Sequence, residues 1–497
     1  MFSWIKIATK DSFIYSLGNA STKVIGLILL PLYTDKLTVA EYGVLGTVEV
    51  TIQILITVFS LSLRQALKRW YWDKNYRDRQ EAIFFTTLAA AGIGVILMLV
   101  LFLPFAKNLS VSLFGSPEYA FLFKLLLISA ALQILSRVVF ALMRLQRKTV
   151  LYTITNIIKL LLTLGLTIYF IVVLKIGVEG IVAAQIAGFI FAVVINYRFL
   201  IKNVVFVFER KVLKEMIAFS YPLVLSSVSS VLLTVADRYT VRYIGGLEAM
   251  GVYSLGFKIA NVLKIFIINS VNTALMPIKL QMMDKPGNKR FYSKIMTYSA
   301  LAFIIILLML SLFSPEVIKL LASNPQYWSA YQIVPVLCFA QLFELLRRQV
   351  NFGLIVEKKT KIISSVIISV SILSIGLNIG MVYFFDVMGA ATATLLAQVI
   401  FFILIYHYAQ KYYPVNYELR KIFIMVFTGA AIVVVTFLFI NSISVWPRIA
   451  IKILFIISFP VLLYFFKFYE PIELKRIKGS WNKWKNPLLW KENFKHK

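Results

Sequence analysis

Apolar runs of about 20 residues recur along the chain, and each is long enough to cross a hydrocarbon layer of roughly 30 Å. Read with a window near 19 residues, they place membrane spans at roughly 12–33, 43–63, 83–105, 119–140, 150–174 and 178–198. A second group falls at roughly 217–240, 250–276, 295–313, 328–346, 362–384 and 388–409, and two more at roughly 421–441 and 446–466. The pattern predicts an all-α integral membrane protein of about fourteen transmembrane helices.

Composition and charge sharpen that reading. Of 497 residues, 60% are hydrophobic and 15% charged, which excludes a disordered basic chain and a soluble nucleic-acid binder. Lys and Arg nevertheless number 52 against 22 acidic residues, a net charge of +30. With a cytoplasmic N-terminus, 38 of the 52 fall on the cytoplasmic face, in groups such as Arg64, Lys68, Arg69, Lys74, Arg77 and Arg79. Only six face the other side. Positive charge accumulates in cytoplasmic loops, so both termini are expected in the cytoplasm. The charge then reads as a skirt facing anionic membrane lipids and needs no nucleic-acid partner. The tail 467–497 interleaves Lys with Trp481, Trp484 and Trp490, as an interfacial segment does.

The chain also repeats itself. Tyr15 to Thr34, continuing through Glu41-Tyr42-Gly43-Val44, resembles Tyr221 to Thr240, continuing through Ala249-Met250-Gly251-Val252. The offset, roughly 206 to 208 residues, covers six spans, an even number, so the halves share one orientation. They are expected as two six-helix bundles related by a pseudo-two-fold along the membrane normal. The lobes are assigned to 1–215 and 216–412, two further helices to 413–466, and a basic tail to 467–497.

Ionisable groups inside spans are costly and point to function. In span 1, Ser12, Ser16, Asn19 and Lys23 share a helix face; in span 2, Glu49, Gln53, Ser60 and Arg64 do. Span 5 carries Tyr152, Thr155, Lys159 and Thr163, span 7 Ser226, Ser230, Thr234 and Asp237, and span 8 Ser254, Lys258, Asn261, Asn269 and Asn272. Such stripes are buried only against each other or around water. The basic groups Lys23, Lys159, Lys258, Lys264 and Arg238 outnumber the acidic Glu49, Asp237 and Glu344 at comparable depth. One reading is internal pairing, for example Lys23 with Glu49, with Lys124, Arg137 and Lys452 snorkelling. The other is a net-positive cavity for an anionic headgroup, a phosphate or pyrophosphate, lined by the five basic groups with Asn19, Gln53 and Asn261. Glu49 and Asp237 are the candidates for binding a coupling Na⁺ or H⁺.

No phosphate-binding Gly-x-x-x-x-Gly-Lys-Ser/Thr loop occurs. Cys338 stands alone, and His407 and His496 lie far from any acidic cluster, so no metal site, no catalytic residue and no cofactor is expected.

Gly26, Pro31-Leu32-Tyr33-Thr34, Leu37 and Glu41-Tyr42-Gly43 resemble the first-span signature of polysaccharide flippases, the O-antigen, capsule and exopolysaccharide exporters. These belong to the multidrug/oligosaccharidyl-lipid/polysaccharide exporter superfamily. Leu377-Asn378-Ile379, Gly389-Ala390-Ala391-Thr392-Ala393-Thr394 and Lys411-Tyr412-Tyr413-Pro414 resemble its spans 11 and 12 and the connection after them. The resemblance implies alternating access, with a substrate of oligosaccharide linked to undecaprenyl pyrophosphate. It implies basic residues on spans 1 and 8 in a central cavity, here Lys23 and Lys258. In some relatives spans 13 and 14 form a groove for the lipid tail, and a polymerase and chain-length machinery are the partners expected. Three alternatives stay open: a drug or cation exporter of the same superfamily, a peptidoglycan-precursor flippase, and a membrane polysaccharide polymerase.

Overall fold

The computed structural model describes residues 26, 28–440, 443–471 and 474–475. Among these the chain is helical, without strands. The first half comprises α1 (Leu30–Lys36), α2 (Val39–Phe59), α3 (Leu63–Trp70), α4 (Gln80–Phe102), α5 (Ala106–Phe114), α6 (Ala120–Leu145), α7 (Thr149–Ile168), α8 (Val178–Ile195) and α9 (Tyr197–Asn203). The second comprises α10 (Arg210–Thr240), α11 (Gly246–Leu263), α12 (Asn269–Gln281), α13 (Asn288–Leu312), α14 (Ser314–Leu321), α15 (Ile333–Val356) and α16 (Thr360–Tyr412). α17 (Leu419–Val435) and α18 (Val445–Phe465) follow.

Eleven helical stretches among the described residues are long and apolar enough to cross a membrane. Two of them, 72 and 53 residues long, each cover two predicted spans. Every predicted span after the first coincides with one of the eleven; the first lies largely outside the described residues. The 53-residue stretch is α16, whose helix breaks at Asp386 with φ 47° and ψ −132°. A Cβ on Gly389 would stand 2.0 Å from the Met381 carbonyl oxygen. That approach across the break requires glycine and explains the first residue of Gly389-Ala390-Ala391.

The start of α2 shows how local chemistry builds the fold. Thr38 Oγ1 accepts from the Glu41 amide at 3.2 Å, and the Thr38 amide donates to Glu41 Oε2 at 2.8 Å, a reciprocal cap. The next residue, Tyr42, is fully buried, edge-on to Tyr327, whose hydroxyl donates to the Leu37 and Thr38 carbonyls. Gly43 then meets α11 backbone to backbone: a Cβ there would lie 1.9 Å from the Leu247 oxygen. Gly251 meets α2 likewise, 2.1 Å from the Val39 oxygen, and Gly46 would collide with Ser254 Oγ at 2.3 Å. The pairs Gly43/Leu247 and Gly251/Val39 exchange under the 208-residue offset of the repeat. Small residues permit this close crossing of α2 and α11.

By its own contacts the chain divides into two units, one holding the chain to Ser270 with Ser314–Tyr413, the other Val271–Phe313 with the chain from Pro414. In the first, α2 packs on α11, α15 on α16, and α7 on α8. Both predicted lobes contribute to it. In the second, α13 packs on α17 and α18, and Lys294 bonds the carboxylates of Glu418 (2.9 Å) and Glu470. Burial raises the Glu418 carboxyl, but hydrogen bonds from Lys421, Lys294 and Thr297 outweigh it and hold the group below the ordinary range.

Candidate functional site

Within the first unit, α6, α7 and α8 wall a cavity of about 620 Å³ with residues from α2 and α3. On α6, Gln133, Arg137, Phe140 and Arg144 follow steps of 4, 3 and 4 and so share one face, which lines it. Tyr152 and Lys159 of α7 stand opposite, and Arg64 enters from α3. Lys159 Nζ lies 4.4 Å from the Phe189 ring centroid and 5.4 Å from that of Phe140, so aromatic faces hold its ammonium in place. Arg144 is fixed by a bond from Nε to the Phe140 carbonyl at 3.2 Å and by the Tyr152 ring. Arg137 is exposed to the cavity.

None of these four basic groups forms an ion pair among the described residues, and the one carboxylate in the wall, Glu49, is held by Lys258 at 2.8 Å. Just outside the spans, burial and then the guanidiniums of Arg64 and Arg144 lower the proton affinity of Lys68, as crowding of like charge requires. Four cations converge with one neutralised acid. The arrangement is complementary to a doubly or multiply charged anion.

The residues singled out from the sequence divide into groups. Asn19 and Lys23 lie outside the described residues. Lys159 lines the basic cavity. Lys258 bonds Glu49 across the two halves, with its ammonium 5.1 Å from the Tyr42 ring centroid; Lys23, the partner considered above, lies outside the described residues. Lys264 bonds Glu344 at 2.8 Å, and Arg348 reaches the same carboxylate at 2.6 Å. Arg238 lies over Phe257 at 4.3 Å and donates to the Thr234 carbonyl. Its neighbour Asp237 is buried and accepts from the Tyr253 hydroxyl at 2.7 Å and the Arg238 amide at 2.8 Å, with Thr394 Oγ1 at 3.4 Å. Gln53 and Asn261 are partly buried. Among the described candidates Lys258, Lys264 and Arg238 stand beside acids, whereas Arg64, Arg137, Arg144 and Lys159 form no ion pair. The stripe on α6 was available to the same periodicity test that found the others, but Arg137 alone reads as a snorkelling side chain.

No group of His, Cys, Asp and Glu among the described residues is arranged to hold a metal ion. The fold is similar to that of the lipid II flippase MurJ in an inward closed conformation, with a TM-score of 0.73 and 16% identity over 91% of this chain and 99% of that one. It is also similar to a Vibrio cholerae MATE transporter, VcmN, with a TM-score of 0.57 and 16% identity over 82% of this chain and 97% of that one. In sequence, an uncharacterized membrane protein of Haemophilus influenzae is 23% identical over 277 residues, 54% of this chain and 64% of that protein, so the match spans less than two thirds of the relative. The family model described as polysaccharide biosynthesis protein matches residues 8–283, more than half of the chain. This match makes the chain a member of the polysaccharide biosynthesis protein family.

Proposed function

We propose that the protein is a flippase that moves an undecaprenyl-pyrophosphate-linked oligosaccharide from the cytoplasmic to the outer leaflet of the bacterial inner membrane, for cell-surface polysaccharide synthesis. The observation that carries the reading is the convergence of Arg64, Arg137, Arg144 and Lys159 on one cavity whose only acid among the described residues is already paired. A pyrophosphate satisfies that charge by multiple charge-assisted bonds, and the guanidiniums bind it bidentately. The family match and the likeness to a lipid II flippase support the substrate class. The distribution of Lys and Arg supports cytoplasmic termini. A cationic-drug exporter would face four like charges, so that rival is disfavoured. Asp237 and Glu49 are the carboxylates through which Na⁺ or H⁺ would couple; Glu49 exchanges Lys258 for the ion only if the two halves separate.

The test is reconstitution into proteoliposomes with a fluorescent undecaprenyl pyrophosphoryl oligosaccharide, its sidedness read by a glycan-cleaving enzyme added outside. Wild-type protein is expected to equilibrate the lipid between leaflets. The variant Arg137→Ala/Lys159→Ala is expected to slow this by at least tenfold at equal protein. Wild-type rates in that variant would contradict the reading.

A further inference from the structure

A second cavity, of about 390 Å³, adjoins the basic one, for Arg64 and Arg137 line both. Its character differs. Apart from those two guanidiniums its polar wall among the described residues is neutral: Gln65, Thr57 bonded to the Gln53 carbonyl, hydroxyls from Ser60 and Ser62 on the first half, and hydroxyls from Ser226, Ser227 and Ser230 on α10. None of these five serine hydroxyls bonds any group among the described residues. Ser62 precedes α3, where a serine would ordinarily cap the helix, yet its side chain makes no capping bond. It is held instead in a left-handed conformation, φ 51°, directly after Leu61 at φ 46°. Two successive non-glycine residues in that region are strained, and such strain persists where surrounding structure imposes it. Here it turns the chain from α2 into α3 and brings Ser60, Ser62 and Arg64 to one wall.

Resting on the flippase reading, we propose that this cavity is a saccharide subsite, which takes the sugar attached to the pyrophosphate while the pyrophosphate lies across Arg64 and Arg137. Free hydroxyls and an amide both donate and accept, which is what sugar hydroxyls require. Among the described residues no carboxylate stands in its wall to oppose the adjoining phosphate. The volume lies within the range of small-ligand pockets. Because the wall is drawn from both halves of the molecule, a bound sugar bridges them. Occupancy therefore depends on this arrangement of the halves, and binding energy from the sugar is coupled to the transport cycle.

The experiment measures affinity of the full-length protein in nanodiscs for farnesyl pyrophosphate and for farnesyl pyrophosphoryl glucose, galactose and N-acetylglucosamine. At least one sugar is expected to tighten binding over farnesyl pyrophosphate alone. Ser226→Ala/Ser230→Ala removes one half-exposed and one exposed hydroxyl, each worth one neutral hydrogen bond, and is expected to abolish a sugar-dependent gain of roughly tenfold. Its affinity for farnesyl pyrophosphate should stay at the wild-type value, whereas Arg137→Ala should weaken both probes. No gain from any sugar, or an equal loss for both probes in the serine variant, would overturn the subsite while leaving pyrophosphate recognition standing. Failure of wild type to bind farnesyl pyrophosphate would instead remove the flippase reading beneath it.

Discussion

Gly43→Ala tests whether the α2–α11 crossing is a gate. The new Cβ would stand 1.9 Å from the Leu247 carbonyl oxygen, where side-chain carbons essentially never come within 3.0 Å. The backbones must separate by about 1 Å, and overpacking of this kind costs about 1–3 kcal/mol. If α2 and α11 part when the transporter changes state, only the state described here bears that cost, and the equilibrium shifts by about 5- to 150-fold towards the open one. Thr51, buried deeper on α2 and bonded to Tyr239 across the halves, supplies the reporter. A Thr51→Cys variant in a Cys338→Ala background would be labelled from outside the cell with a membrane-impermeant maleimide. Gly43→Ala is expected to raise the labelling rate by that factor, and Gly251→Ala, its counterpart in the repeat, to do the same. Gly92→Ala, where the added carbon meets nothing within 4 Å, should leave the rate unchanged. Unchanged labelling with Gly43→Ala, in a variant that folds normally, would refute the idea that this crossing opens.

Other outcomes follow from the charged pairs. Lys258→Met should destabilise the protein by about 1–3 kcal/mol, because Glu49, partly hydrated at the cavity, loses its partner; the double variant Glu49→Gln/Lys258→Met should recover most of this, and thermal unfolding in detergent checks it. The Glu418 carboxyl, held below its ordinary 4.5, stabilises the second unit fully above that pH and progressively less as pH falls through the lowered value. Melting temperature is accordingly expected to fall on acidification, and Glu418→Gln to flatten that fall; identical acid profiles would contradict the assignment. Lys159→Gln, which keeps a polar side chain and removes the charge, should slow export while protein levels hold, measured by surface glycan per unit of protein.

Much of this architecture is legible in the sequence because the bilayer imposes a coarse rule: every run must be helical and about 20 residues long. The runs therefore coincide with the helices after the first. The repeat is legible too, and its offset reappears in the reciprocal contacts of Gly43 and Gly251. Pairing between helices is not legible in this way. Helical periodicity places Lys258 and Glu49 on polar faces but carries no information about which faces meet. Their 2.8 Å bond consumes a cation that the sequence assigns to substrate. Conversely, Arg137 and Arg144 look like topology signals, because a basic residue near a helix end has a sufficient explanation in the interface. Only the packing of α6 against α7 and α8 turns their face inward. The break at Asp386 is legible, because it falls between the spans predicted at 362–384 and 388–409, where a carboxylate interrupts the apolar run and Gly389 permits the close approach.

The central claim is that this protein carries a lipid-linked oligosaccharide across the membrane. The most direct measurement is the sidedness of that lipid in cells depleted of the protein, probed with a glycan-cleaving enzyme on intact and broken spheroplasts. The account predicts accumulation that the enzyme reaches only after the membrane is broken. Normal exposure on the outer face of intact spheroplasts would contradict it.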